Sequence, residues 1–197
     1  ALTSQINPHF LFNTLNSISS LIRTNPDGAR QVIVKLSNIL RRLMKKTDNT
    51  IALREELNFI EDYIAIEMVR FGSKLRFIKE VDGAVLERRV PSMILQPIVE
   101  NSLKHGLADK IDGGTIRVRA WEAEGKLHLE VEDDGVGIPE PRLNRIFEQG
   151  IGVSNVNERL QVLFGDEYRM WIDSKPGEGT RTGIELPSHA SSLAAVS

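Results

Sequence analysis

No cysteine occurs among the 197 residues. Disulfides, thiolate catalysis and cysteine-ligated zinc are thereby excluded, and a reducing compartment is allowed. No charge of one sign dominates: 25 Lys and Arg stand against 27 Asp and Glu, a net −2. Nucleic-acid binders usually carry a basic surplus, so that class is disfavoured. No secretory signal is visible. The uncharged run from Leu2 to Ile22 approaches the length of a membrane span, but Gln, Asn, Ser, Thr and His recur through it and make it a poor one. No G-x-x-x-x-G-K-[ST] occurs, nor a protein-kinase motif set. The G-x-G in "DDGVGIP" lacks the third glycine and the βαβ context of a dinucleotide fold.

What is present is an ordinary globular composition, 41% hydrophobic and 26% charged, long enough for one or two domains. The first 72 residues read as helix. Leu11, Leu15, Ile18 and Ile22 keep a three-to-four spacing, which predicts one buried stripe. "NPDG" at 25–28 breaks the pattern, a second helix is expected from about Ala29 to Lys46, and "TDNT" interrupts again. A third run, 53–72, places Leu57, Ile60, Ile64 and Met68 at helical spacing and stops at Gly72. Such a hairpin has a small core, and a second copy of the chain would complete its seam.

The rhythm changes after Gly72. "KLRFIKEVD" alternates as a strand does, and "SMILQPIVENSLKHGL" reads as one helix. "TIRVRAWEAEGKLHLEVEDDG" predicts a hairpin turning at Glu124-Gly125. A helix near 153–164 and two strands around "KPGEGT" follow. This order fits an α+β fold: a helical hairpin, then an α/β sandwich on a mixed, mostly antiparallel sheet. The small, polar tail "SHASSLAAVS" is expected to fray.

Few residues could do chemistry. In "NPHFLFN", His9 lies opposite the Leu11–Leu15–Ile18–Ile22 stripe, and Asn13 and Asn16 share its face, so exposure is expected. His105, His128 and His189 are distant in sequence and no His-x-x-x-His pair exists, which disfavours a metal site. An imidazole is part neutral at physiological pH and can act as a nitrogen nucleophile. In "LEVEDDGVGIP", Asp133 shares strand parity with Leu127, Leu129 and Val131. An apolar-side carboxylate needs donors. Either it bonds the Gly135–Gly137 turn or it receives a ligand N–H such as an adenine amine. "IVENSLKHG" sets Asn101 and His105 four apart, with Lys104 between. These are either a polar helix flank or an amide oxygen for Mg²⁺ with a lysine near phosphates. "GIGVSNVNERL" offers a Gly-rich helix entry suited to an anion, or a plain loop. Each signal is weak, but their order describes an adenine-nucleotide pocket without a Walker lysine.

At this point a resemblance appears. "QINPHFLFNTLNSI" resembles the phosphoacceptor box of LytS-type sensor histidine kinases, and "LREELNFIEDYIAIEMVRFG" the helix that follows it. "LQPIVENSLKHG", "VEDDGVGIP", "GIGVSNVNERL" and "GEGTRTGIELP" resemble the N, G1, G2 and G3 boxes of the GHKL ATP-binding domain. The resemblance spans roughly residues 1 to 187. It implies that His9 is phosphorylated from ATP and passes the group to an aspartate of a response regulator. Asn13 matches a position used in phosphatase chemistry. Asn101 would ligand Mg²⁺, with Lys104 and His105 near the phosphates. Asp133 would hold adenine, and Gly135 and Gly137 would let the base approach. Gly150, Gly152 and Asn155 would border the phosphates, with 138–152 a mobile lid. Gly179 and Thr180 would complete the adenine side. The implied organisation is a dimerising helical region at 1–72, a catalytic domain at 73–189 and a flexible tail at 190–197. A hinge at Phe71–Gly72–Ser73 would let the catalytic domain swing. The expected setting is a cytoplasmic fragment of an inner-membrane sensor, its only membrane link being a missing N-terminal region. Larger kinase families carry an acid after the histidine. Phe10 stands here, which leaves the general base open, with Glu100 a guess. Two rivals remain: a GHKL ATPase or serine kinase that ignores His9, and a non-catalytic scaffold.

Overall fold

Three helices come first because three local signals delimit them. In the computed structural model, which describes residues 8–44, 49–107, 112–143, 145–146 and 151–187, helix α1 (Pro8–Thr24) opens on Pro8, where a missing N–H costs nothing. Asn25 ends it and caps α2 (Pro26–Met44) by accepting the Gly28 N–H at 3.0 Å. The second helix therefore starts at Pro26, not Ala29: proline suits the first helical position, so "NPDG" interrupts for a single residue. Helix α3 (Leu53–Phe71) ends at Gly72, whose φ of +62° turns the chain while its N–H donates to the Met68 carbonyl.

The expected stripe on α1 is corrected. The residues buried are Phe10, Thr14 and Ile18, whereas Leu15 is 48% exposed and Ile22 57%. The helix carries two apolar lines. The chain covers the one led by Phe10, whose ring stacks on Tyr63 of α3 with centroids 4.6 Å apart. Spacing alone cannot say which line meets the chain's own core. On α3, Leu57, Ile60 and Ile64 are buried as expected, and Met68 is partly exposed at the end of the stripe. Helix α2 runs antiparallel to α3, with Lys35 and Asn38 on Asp62 and Arg42 on Glu55 and Glu56.

A five-stranded sheet follows, in the order β2–β4–β5–β7–β6. Its strands are β2 (Leu75–Val81), β4 (Gly114–Ala123), β5 (Lys126–Asp133), β6 (Arg169–Lys175) and β7 (Gly179–Pro187). Only β2 with β4 is parallel. The β4–β5 turn falls at Glu124-Gly125, both at positive φ as a tight hairpin requires. One face packs Ile116, Val118, Leu129, Val131 and Ile184 into the core. The other carries ion pairs, such as Arg119 with Glu80 and Glu130. Two short strands that the alternation did not reveal, β1 (Thr50–Ala52) and β3 (Arg89–Pro91), pair antiparallel beside α3.

The stretch read as one helix over 92–107 has three parts. Residues 92–95 form a turn with Met93 at φ +59°, α4 covers Gln96–Asn101, and a π-helical turn covers Ser102–Leu107. Pro97 sets the start, since proline fits only the first turn. Helices α5 (Glu140–Leu143) and α6 (Ile151–Phe164) lie between β5 and β6. The expected tail and parts of the expected lid lie outside the described residues. Among the described residues no helix is long and apolar enough to cross a membrane.

One carboxylate joins the helices to the sheet domain. Glu56 is fully buried on α3. Its Oε2 accepts from Arg42 of α2 (2.8 Å) and the Met93 N–H (3.1 Å). Its Oε1 accepts from the Leu95 N–H (3.1 Å) and the Gln96 N–H (3.3 Å). Burial pushes this carboxyl above the ordinary range, while Arg42 and the three amides pull it back. Removing one partner of a buried pair leaves the others uncompensated. Glu56→Ala is expected to cost about 3–5 kcal/mol, read as a fall in unfolding free energy by urea titration.

Candidate functional site

The site forms where β5 runs out. Strand parity turns Asp133 to the core side, where it is 3% exposed. Burial raises its carboxyl above the usual aspartate value. The Ser102 hydroxyl and the backbone N–H groups of Gly135 and Thr180 oppose that rise, and neighbouring Asp134 adds to it. The Gly135 N–H donates to Oδ1 at 3.0 Å. Asp133 therefore does what the structural alternative foresaw, bonding its own turn. It also stands in a ring of polar groups from three elements: the π-helical turn, its own loop and β7.

Glycines let these elements close. A Cβ on Gly135 would collide with the backbone of Gly106, and the adjacent Val136 N–H donates to the Gly106 carbonyl at 3.0 Å. Gly137 adopts φ +71° against the Lys175 carbonyl, where a Cβ has no room. Gly106 itself has no space for a side chain beside the Asp133 carboxylate. The "DGVG" loop is thus threaded between the π-helical turn and the β6–β7 turn. Ser174 fastens it, accepting from the Ile138 N–H (2.8 Å) and donating to the Gly179 carbonyl (2.8 Å). The glycines expected to admit a ligand are used by the protein's own backbone.

Beside this ring, α4 ends on Asn101. Gly152, at the start of α6, faces it: a Cβ there would stand 3.2 Å from the Asn101 Nδ2 and 3.5 Å from its Oδ1. Lys104 and His105 are exposed on the π-helical turn, and Asn155 is exposed on α6. Thr180 pairs with Asp133 in the β5–β7 register, and its Oγ1 lies 2.9 Å from Ser174 Oγ. The structure thus gathers Asn101 with Gly152, and Asp133 with Gly135, Gly137, Gly179 and Thr180. Gly150 lies outside the described residues.

His9 stands apart on the first turn of α1, exposed as expected. The Asn13 Nδ2 lies 3.2 Å from its Nδ1 and 3.3 Å from its Nε2, so the amide can donate to whichever nitrogen is unprotonated. Phe10, where larger kinases carry an acid, is committed to the core. Tyr63, stacked on it, has its hydroxyl pushed well up by burial and by the carboxylates of Glu100 and Glu67. Glu100 accepts from the Gln96 side chain (2.8 Å), and burial raises its carboxyl.

Sequence reasoning missed Ser102 and Gly106 as Asp133 neighbours, and Glu56 entirely. The signal for Glu56 was present. With Leu53, Leu57, Ile60 and Ile64, it falls on the apolar side of α3 at helical spacing, and an acid there requires donors.

The chain as a whole is similar to known proteins. A family model described as histidine kinase matches residues 1–75, and one described as histidine kinase-, DNA gyrase B-, and HSP90-like ATPase matches 87–190. The chain is 37% identical over 196 residues to a sensor protein LytS of Bacillus anthracis, covering 95% of this chain and 33% of that protein. It is 38% identical over 200 residues to the sensor histidine kinase YpdA of Escherichia coli, covering 98% and 35%. The chain therefore spans about a third of the length of these curated relatives. Among solved structures, the histidine kinase domain of an Erythrobacter litoralis blue-light activated histidine kinase superposes with a TM-score of 0.59 at 21% identity, covering 91% of this chain and 85% of that one, a likeness of fold. With both family models in sequence order over a fold of this kind, the chain belongs to the LytS-type sensor histidine kinases, its C-terminal half being the GHKL-type ATPase domain.

Proposed function

We propose that this chain binds ATP with Mg²⁺ between α4, the end of β5 and α6, phosphorylates His9, and passes the phosphoryl group to an aspartate of a response regulator. The observation that carries the reading is the pairing of two features in one chain. One is a buried, glycine-ringed Asp133 beside Asn101. The other is an exposed imidazole with an amide in reach, on a helix whose next residue is anchored in the core. We take residues 1–72 as the phosphoacceptor and dimerisation unit and 73–189 as the catalytic unit.

In this reading the ionised Asp133 accepts from the adenine amine. Lys104 and His105 lie near the phosphates, with Gly150, Gly152 and Asn155 along their far side. Asn101 ends α4 with its amide against Gly152, and an amide oxygen suits a hard cation. When bound, Mg²⁺ would neutralise charge developing on the transferred group. His9 attacks with its unprotonated ring nitrogen. A nitrogen–phosphorus bond forms, the bridging oxygen–phosphorus bond breaks, ADP leaves, and the other ring nitrogen gives up its proton. The Asn13 amide, within reach of both ring nitrogens, must release the attacking lone pair before this step. Transfer then breaks the nitrogen–phosphorus bond as an aspartate oxygen bonds to phosphorus. Positioning dominates such a step, since the protein supplies little covalent chemistry.

The partner reading draws on α1 and α2. Phe12 (66% exposed), Leu15, Ile22, Ile33 and Val34 are apolar residues that one copy leaves uncovered. A second copy would cover them, giving a homodimer through the N-terminal helices.

Four outcomes test this. With γ-labelled ATP and Mg²⁺, wild type gains acid-labile, alkali-stable label and His9→Gln gains none. Label that survives the substitution, or resists acid, would favour a serine kinase, and bound ATP without label would favour a scaffold. Asp133→Asn is expected to weaken ATP binding about tenfold or more, as loss of a buried charge-assisted hydrogen bond should, read by equilibrium dialysis. Because burial raises the Asp133 carboxyl, it protonates sooner as pH falls than an ordinary aspartate. Adenosine affinity should decline through that raised value, and the Asn variant should flatten the profile. Finally, Leu15→Glu with Ile22→Glu is expected to shift sedimentation from dimer to monomer while the helical circular dichroism signal is kept.

A further inference from the structure

Residues 92–96 are gripped from two sides. From the helical unit, Glu56 takes the N–H groups of Met93, Leu95 and Gln96, and Arg42 of α2 completes the carboxylate's shell. From the sheet domain, Arg159 of α6 donates to the Ser92 carbonyl, to the Ser92 Oγ (3.0 Å) and to the Asn49 carbonyl (3.2 Å). Met93 sits at φ +59°, a region that residues with side chains rarely adopt, so outside contacts must hold it there. Its bond to Glu56 is such a contact.

This segment leads directly into α4, whose last residue is Asn101. Arg159 is two turns along α6 from Gly152, which faces Asn101. Both helices that bracket the Asn101–Gly152 gap are therefore referenced to the same five residues, and those residues are referenced to Glu56. Arg42 adds a third party. It lies on α2 and belongs to no element of the nucleotide pocket. Its guanidinium donates to Glu56 and to the Glu55 carbonyl and lies over the Phe59 ring, 5.0 Å from its centroid. A shift of α2 along α3 withdraws the counter-charge from a buried carboxylate. The carboxylate must then move or protonate, and its three amides lose their acceptor.

We propose that Glu56 is a positioning residue for the nucleotide site, setting the Asn101–Gly152 gap, and that Arg42 makes this gap responsive to the position of α2. The proposal rests on reading that gap as part of the ATP pocket. It also restricts the hinge expected at Phe71–Gly72–Ser73. While Glu56 holds 93–96, the start of α3 travels with the catalytic unit, and motion at Gly72 alone cannot separate them.

The test measures the affinity of a fluorescent trinitrophenyl-ATP on the whole chain, at a temperature where circular dichroism shows every variant folded. Arg42→Met is expected to raise the dissociation constant about fivefold or more, the lower end of couplings between distinct sites. Arg42→Lys should restore much of the loss. Glu56→Gln should weaken binding at least as far, and the double variant Arg42→Met with Glu56→Gln no further than Glu56→Gln alone. Affinities within about twofold of wild type, with melting temperature alone reduced, would make Glu56 a structural tie and overturn the proposal. If Glu56→Gln does not fold, the Arg42 pair decides by itself. A wild-type chain that fails to bind the probe would instead remove the pocket reading, and this inference with it.

Discussion

A buried carboxylate surrounded only by donors is the constraint on which the rest of this structure depends. Glu56 meets one guanidinium and three backbone N–H groups, all donors, an arrangement that matches an ionised acid. Hydrophobic contact alone could hold α3 against the sheet domain in several registers, because apolar packing has no direction. Four hydrogen bonds from two oxygens do have direction. They select one register of α3 against the start of α4, and one placement of α2 against both.

Downstream of that junction, position is carried by absent side chains. Gly106, Gly135, Gly137 and Gly179 each stand where a Cβ would strike the carboxylate or backbone of a neighbouring element. Asp133 lies in the middle of them. The π-helical turn contributes by its wider winding, which presents Gly106 and Ser102 to Asp133 while Lys104 and His105 remain at the surface. The polar ring around Asp133 is therefore closely packed and gives way to the exposed Lys104 and His105, a division that suits the proposed nucleotide, with base at the ring and phosphates beyond it.

Much of this was legible in the sequence, for physical reasons that can be named. Period-two alternation gave β4 and β5 and put Asp133 on the core side. The Glu124-Gly125 dipeptide gave the turn, and an exposed His9 followed from helical geometry. What was not legible depended on long-range choice. Two apolar lines on α1 compete for one core, and tertiary contacts such as the Phe10–Tyr63 stack favour one of them. Strands of three residues, such as β1 and β3, are too short for a pattern. The helix expected over 92–107 is split by Pro97 and by the π-helical turn, the latter fitting the demand of Asp133 for a close neighbour, which spacing does not encode. Glu56 was in view as an acid on an apolar stripe, yet its amide partners lie some forty residues along the chain.

The Phe10–Tyr63 stack has a mechanical meaning for its neighbour in sequence. Successive helical residues point about 100° apart, so the direction of the His9 side chain follows from that of Phe10. Rolling α1 by one residue would bring His9 inward only by lifting a phenyl ring out of the core, at about 1.5–3 kcal/mol for the lost burial. Sliding or tilting α1 together with α3 keeps the stack and carries no such cost. The helix thus behaves like a shaft keyed to its housing: free to travel with α3, resistant to turning, with the imidazole always facing out.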